Sequence, residues 1–120
     1  LWDGNRRREK RNASLQIRNS QLEREQLELG LKADLSNLWQ AYRNYLRLLN
    51  LERQNLVAAR ENHEIAKERY LLGDLSGIEM REAQKSLLDA EERILSAEYN
   101  TKVCEISLLQ LSGRITKYLE

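Results

Sequence analysis

Apolar and small side chains recur in steps of three and four residues through two long stretches of this 120-residue chain. The second stretch keeps these steps without a slip through Met80, Ala83, Leu87, Ala90, Ile94, Ala97, Thr101, Cys104, Leu108, Leu111, Ile115 and Tyr118. Such a series lies along one face of an α-helix and is typical of a coiled-coil seam, which needs a partner helix. This pattern constrains the fold more than any other feature of the sequence.

The first stretch carries the same pattern in two rows, from Leu31 onward. One row is Leu31, Leu38, Tyr45, Ala59 and Ala66, with Glu52 as its polar member, and the other is Leu35, Tyr42, Leu49, Leu56, His63 and Tyr70. Two seams in one chain can each serve as the partner of the other. The sequence therefore predicts an antiparallel pair of helices.

The two stretches are separated by "YLLGDLSGIE", residues 70–79 of a chain without proline. Gly73 can adopt the left-handed backbone conformation that ends a helix. Ser76 suits the N-cap of the next helix, and Glu79 three residues later completes a capping-box pattern. The segment is therefore predicted to be a tight turn between helices.

The predicted fold is all-α, an antiparallel two-helix coiled-coil hairpin with one very long helix and one shorter helix. It is a single hairpin over residues 1–120, with helices at about 5–71 and about 77–112, a turn at about 72–76 and a C-terminal tail. The shorter helix would cover little more than the C-terminal half of the longer one. Apolar residues thin out before Gly30, so that part is expected to pair with something outside this chain or with another copy of it.

The composition excludes several classes of function. Twenty basic residues balance nineteen acidic ones, which gives no general preference for nucleic acid. The basic run from Arg6 to Arg11 is interpreted as a solvated helix face. One cysteine and one histidine offer neither a disulfide nor a metal site, and no catalytic constellation or phosphate-binding loop is visible. We expect no enzymatic activity, no cofactor and no metal.

Three segments resemble the TolC-like outer-membrane efflux proteins. "LWDGNRRRE" is similar to the family's segment between a β-barrel strand and a long periplasmic helix, although "DGN" replaces the usual "DGG". "ERYLLGDLSGIEMREAQKSLLDAE" resembles its hairpin tip, and "AEYNTKVCEISLLQLSG" resembles its closing segment, which ends at Gly113. The chain resembles the second of the two repeats in such proteins and is expected to be part of a longer protein, because no strand segment is visible.

The resemblance implies a trimeric channel in the outer membrane, with this segment in the periplasm. Barrel segments absent here would cross the membrane, and an inner-membrane pump and a periplasmic adaptor would be the partners. By position, the resemblance places the adaptor-contacting tip at Gly73, Asp74, Leu75 and Ser76, with Leu75 expected to be exposed. It places a pore constriction at Glu79 and Glu82, where carboxylates around a narrow pore would attract cations.

The same residues also allow simpler structural interpretations. The tip residues can serve only the turn, and the two glutamates suit the N-terminal turns of a helix, where the dipole favours negative charge. The whole chain can also be a self-associating coiled-coil scaffold or the helical hairpin of a periplasmic adaptor.

Overall fold

The computed structural model describes residues 2–119, which form two α-helices. Helix α1 spans Trp2–Leu71 and helix α2 spans Gly77–Leu119. They fold back on each other as a rod of 105 × 23 × 14 Å, and the part of the chain that the structure describes contains no strand. The prediction of an all-α helical hairpin is confirmed.

The two predicted seams face each other, and we call this contact the inner seam. Its buried apolar members are Leu49, Leu56, Met80, Ala90, Ala97, Cys104 and Leu108. The remaining predicted members are at least partly buried, with the exception of Tyr70, whose side chain is 48% exposed near the turn. Alanines within the row allow the helices to approach closely, as in other packed helix pairs.

Two polar side chains are buried within the inner seam. Glu52 Oε2 accepts a 3.1 Å hydrogen bond from the Nε–H of Arg93 on the other helix. Thr101 donates its hydroxyl hydrogen to the carbonyl oxygen of Ala97 at 2.7 Å. Sliding one helix along the other would separate Glu52 from Arg93 and leave a buried carboxylate without its partner, so this pair favours the observed register.

The end of α1 is a Schellman motif around Gly73, whose φ of 78° lies in the left-handed region. The amide of Gly73 donates to the carbonyl of Tyr70 at 3.1 Å, and the amide of Asp74 donates to the carbonyl of Arg69 at 2.8 Å. An exposed ion pair between Arg69 and Asp74, at 3.3 Å, takes the place of the hydrophobic contact common in this motif. Gly73 therefore ends the helix as predicted.

The start of α2 is the predicted capping box. The Ser76 hydroxyl accepts a hydrogen bond from the Glu79 amide at 3.2 Å, and the Glu79 carboxylate accepts one from the Ser76 amide at 3.1 Å. These bonds satisfy two of the amides that every helix N-terminus leaves free. With both helix ends capped, the five residues between them make a compact fold-back.

Helix α2 is longer than predicted, since it continues past Ser112 to Leu119 instead of giving way to a tail. Gly113 lies inside the helix, where a glycine costs only about 1 kcal/mol relative to alanine. Ile115 and Tyr118 continue the inner seam and offset that cost. The guanidinium carbon of Arg24 lies 5.5 Å from the centre of the Tyr118 ring. The uncovered part of α1 is therefore residues 2–23, shorter than the segment before Gly30 that the sequence predicted.

Candidate functional site

The predicted tip residues lie together at one end of the rod, but Leu75 is less exposed than predicted. Gly73, Asp74 and Ser76 are exposed, whereas Leu75 is partly buried. Leu75 lies between the two helix caps, so the fold-back itself accounts for its covered surface. The expectation that Leu75 is the exposed apolar residue of the tip is wrong.

The exposed apolar surface at this end comes instead from residues on either side of the turn. Leu71, Leu72 and Ile78 are all more than two-thirds exposed, and Leu72 reaches 84%. We call these three residues the tip patch. The exposure of Leu71 and Leu72 could have been inferred from the sequence. Both follow Tyr70, the last seam position, and therefore point away from α2. The tip patch gives this end of the rod a contact surface that the turn does not require.

Glu79 and Glu82, the predicted constriction residues, are both exposed in the first turns of α2. The Glu79 carboxylate is held by the Ser76 amide, so its position is fixed by the capping box. Both carboxylates lie on the outer surface of a single hairpin. A ring of such groups therefore requires several chains around a common axis.

A second apolar row runs along α2 on the face turned away from α1. We call it the back row, and it consists of Leu88, Leu95, Tyr99, Ile106 and Leu109. Its members are separated by seven, four, seven and three residues, which is again heptad spacing. All five side chains are exposed, and Tyr99 reaches 70%. Helix α2 is thus apolar on two faces and has a partner on only one of them.

Helix α1 carries a matching set of unpaired apolar residues. Leu15, Leu22 and Leu29 recur every seven residues and are all exposed. Leu29 and Leu31 lie on different faces, because two residues correspond to about 200° on an α-helix. This row therefore does not continue the inner seam, and α2 could not cover it even if α2 were longer.

An apolar groove on one side of the hairpin adds to these outer surfaces. It is lined by Leu35, Trp39, Tyr42, Glu105, Leu108, Leu109 and Ser112. The rings of Trp39 and Tyr42 are 5.9 Å apart and tilted, an arrangement in which aromatic pairs attract each other. Trp39 remains half-exposed, so the groove connects the inner seam with the end of the back row at Leu109.

Exposed large apolar side chains outnumber the buried apolar ones. Among residues 2–119, seven apolar side chains are buried, whereas twenty-three large ones are exposed. No large side chain in that part of the chain is fully buried. Exposed apolar surface of this extent, arranged in rows, marks an interaction surface. The outer faces of the hairpin are therefore its candidate interaction surface.

In residues 2–119, neither helix has a stretch long and apolar enough to cross a membrane. Within the same range, no three His, Cys, Asp or Glu side chains form a group that could hold a metal ion.

Comparison of the chain with protein-family models, with curated proteins and with solved structures finds no match in any of the three. A functional assignment therefore rests on the chain's own residues, on the geometry described above and on the motif resemblance.

Proposed function

We propose that this chain is a periplasmic α-barrel hairpin of a trimeric outer-membrane efflux channel, which conducts substrates delivered by an inner-membrane pump and a periplasmic adaptor. One observation carries the proposal: the hairpin has apolar rows on its outer faces as well as on its inner seam. A helix with two apolar faces at heptad spacing can have a neighbour on each side. Repeated around an axis, such helices make a closed wall.

The uncovered part of α1 supports the same arrangement. Residues 2–23 extend about 33 Å beyond the last contact with α2, at 1.5 Å per residue. Leu15 and Leu22 lie in this segment and have no partner within the described chain. Because both side chains lie off the inner-seam face, a further helix packed beside α1, from another segment or another chain, would cover them. The tube implied by the motif resemblance has a wall of helices packed side by side.

The tip is the end at which an adaptor would bind. The tip patch offers apolar contact area, and the Schellman motif and the capping box hold it on a rigid turn. In a trimer, Glu79 and Glu82 from each chain would lie near this end and would attract cations entering the tube.

Efflux by the full-length protein tests this proposal. Leu72→Asp combined with Ile78→Asp places two charges in the tip patch without changing either cap. We expect this variant to reach the outer membrane at normal levels and to accumulate a fluorescent pump substrate in the cell. The control is Val57→Asp, because Val57 is 54% exposed but lies far from the tip. Normal efflux by the tip variant would contradict adaptor binding at this surface.

The alternative is a self-associating scaffold or an adaptor hairpin, which would also use the inner seam and the outer rows. A cysteine at position 82 distinguishes the two functions. In a Cys104→Ser background, a bulky maleimide attached to Glu82→Cys should block efflux if this position lines a pore. Glu61→Cys, exposed on α1 away from the tip, is the control. Full efflux after complete labelling at position 82 would favour the scaffold.

A further inference from the structure

The back row of α2 has two gaps in its heptad spacing, and side chains of opposite charge fill them. Glu92 and Lys102 occupy these positions, and both are exposed on the face of α2 that is turned away from α1. With them, the face follows steps of four and three residues without a slip through Leu88, Glu92, Leu95, Tyr99, Lys102, Ile106 and Leu109. The face is therefore apolar except for one acid and one base.

The members of this face are arranged symmetrically along the helix. Glu92 lies five residues before Ala97, and Lys102 lies five residues after it. The apolar members are placed about the same point. A second α2 that runs antiparallel and is centred at Ala97 therefore places Leu88 opposite Ile106, Glu92 opposite Lys102 and Leu95 opposite Tyr99, each of them twice.

We propose that the back row binds the back row of a second copy of this chain, with the two α2 helices antiparallel. Four helices then lie side by side, with the two α2 helices in the middle and the tips of the hairpins at opposite ends. Each Glu92 carboxylate meets the ammonium group of Lys102 of the second copy. Lys102 also contacts Glu105 on its own helix at 3.4 Å, an exposed pair that contributes little to folding.

The two charges select this orientation and this register. A parallel pair in register would place Glu92 opposite Glu92 of the second copy, and like charges at such positions disfavour pairing. Sliding the antiparallel pair by seven residues would place Glu92 opposite Leu95 in one direction and opposite Leu109 in the other. The carboxylate would then lose its partner in the contact, so both shifted registers are less stable.

The exposed row of α1 at Leu15 and Leu22 is a poorer partner for the same face. In an antiparallel pair that places Arg18 opposite Glu92, Arg8 lies opposite Lys102. One attractive pair is then accompanied by one repulsive pair. The charges therefore favour a second α2 over α1 as the occupant of the back row.

This inference goes beyond the proposed channel and does not depend on it. In a closed wall all the tips lie at one end, whereas the antiparallel pair has its tips at opposite ends. The pair is therefore a separate use of the back row, by copies of the chain that are not in a wall. It keeps the exposed apolar side chains of α2 away from water and from other proteins.

Distances between spin labels test the orientation in the 120-residue chain. Two Cys104→Ser variants carry one label each, at Ser96→Cys or at Glu82→Cys, which are both exposed positions. The Ser96 labels lie near the symmetry axis and should be within about 20 Å of each other. The Glu82 labels should be about 45 Å apart, because about thirty residues separate their levels at 1.5 Å each. Distances below about 20 Å at both positions would show a parallel arrangement and would overturn the proposal.

Charge reversal tests the register with the native cysteine in place. Glu92→Lys should raise the dissociation constant of the dimer about tenfold, because two attractive pairs become repulsive. Adding Lys102→Glu to the same chain should restore the wild-type constant. The matched control is Glu61→Lys, the same change in charge at an exposed position of α1, which should leave the constant unchanged. Sedimentation equilibrium measures the constants, and circular dichroism checks that the helix content is retained.

Glu98 provides a second test of the register. It is next to Ala97, so the pair brings it close to Glu98 of the second copy, and these like charges oppose the dimer. Glu98→Gln should therefore tighten the dimer severalfold, whereas Glu61→Gln should not.

Three results of these measurements would overturn the proposal. The first is a chain that stays monomeric at every concentration. The second is an equal loss of association in Glu92→Lys and Glu61→Lys, which would reduce the effect to net charge. The third is a failure of Lys102→Glu to restore association in the Glu92→Lys chain while the helix content is unchanged.

Discussion

The Nε–H of Arg93 on α2 donates a 3.1 Å hydrogen bond to the Oε2 atom of Glu52 on α1, across an otherwise largely apolar seam. The Glu52 side chain is nearly buried, whereas about half of the Arg93 side chain is in contact with solvent. A buried carboxylate that loses its donor has to be desolvated without compensation. This pair is therefore a point at which a single substitution affects both the stability and the register of the hairpin.

We expect Arg93→Ala to lower the free energy of unfolding by about 1–2 kcal/mol, a value reduced from that of a fully buried pair because Arg93 is exposed to solvent. Denaturant unfolding followed by circular dichroism at one protein concentration measures it. Arg60→Ala removes an exposed arginine from α1 and should change little. Equal stability of the Arg93 variant and the wild type would show that the pair does not support the register.

Gly73→Ala should destabilise the hairpin by about 1–2 kcal/mol, because an L-residue at a φ of 78° places its Cβ too close to the backbone. The matched control is Gly77→Ala in the first turn of α2, where φ is not positive and an added Cβ meets open space. Alanine there should be neutral or stabilising by up to about 1 kcal/mol. Melting temperatures of the two variants provide the comparison. Equal changes in melting temperature for the two variants would show that position 73 does not require a residue with left-handed backbone geometry.

Gly113→Ala tests the extension of α2 beyond Ser112. Because Gly113 lies inside the helix and an added Cβ would meet nothing within 4 Å, alanine should stabilise the hairpin by roughly 1 kcal/mol. Amide hydrogen exchange should also slow at residues 114–118. Unchanged stability, together with rapid exchange at those amides in both proteins, would mean that α2 ends before them.

The back row should control self-association. We expect Leu95→Gln together with Tyr99→Gln to shift the oligomer towards monomer while the helix content stays the same, since both side chains face away from α1. Val57→Gln is the control, because the Val57 side chain is also apolar and exposed but has the charged residues Arg53, Arg60 and Glu61 three and four residues away on the helix surface. Size-exclusion chromatography with light scattering measures the change. A back-row variant that associates like the control would place the interface elsewhere.

The inner seam, the Gly73 cap and the Ser76–Glu79 capping box could all be predicted from the sequence, because each depends on residues close together in the chain or on a regular spacing. The end of α2 was predicted at about residue 112, too early by seven residues. Ile115 and Tyr118 continued the seam, and their packing on α1 outweighs the low helix propensity of one glycine.

Leu75 was predicted to be exposed but is partly buried, and the reason is local geometry. Loop position alone suggested that Leu75 is exposed, but the Schellman motif and the capping box bring the two helix ends together around it. Leu72 directly follows the last residue of α1 and points away from the inner seam. A partner for the apolar rows on the outer faces could not be predicted in the same way, because no residue of this hairpin covers them.

Sedimentation equilibrium of the 120-residue chain tests the central claim, which is that the apolar outer faces of this hairpin are covered by other helices. The apparent mass should rise above 14.2 kDa with increasing protein concentration and should level off at a whole multiple of it. A mass that stays at 14.2 kDa up to millimolar concentration would show that the outer rows attract no further copy of the chain, and it would contradict this account.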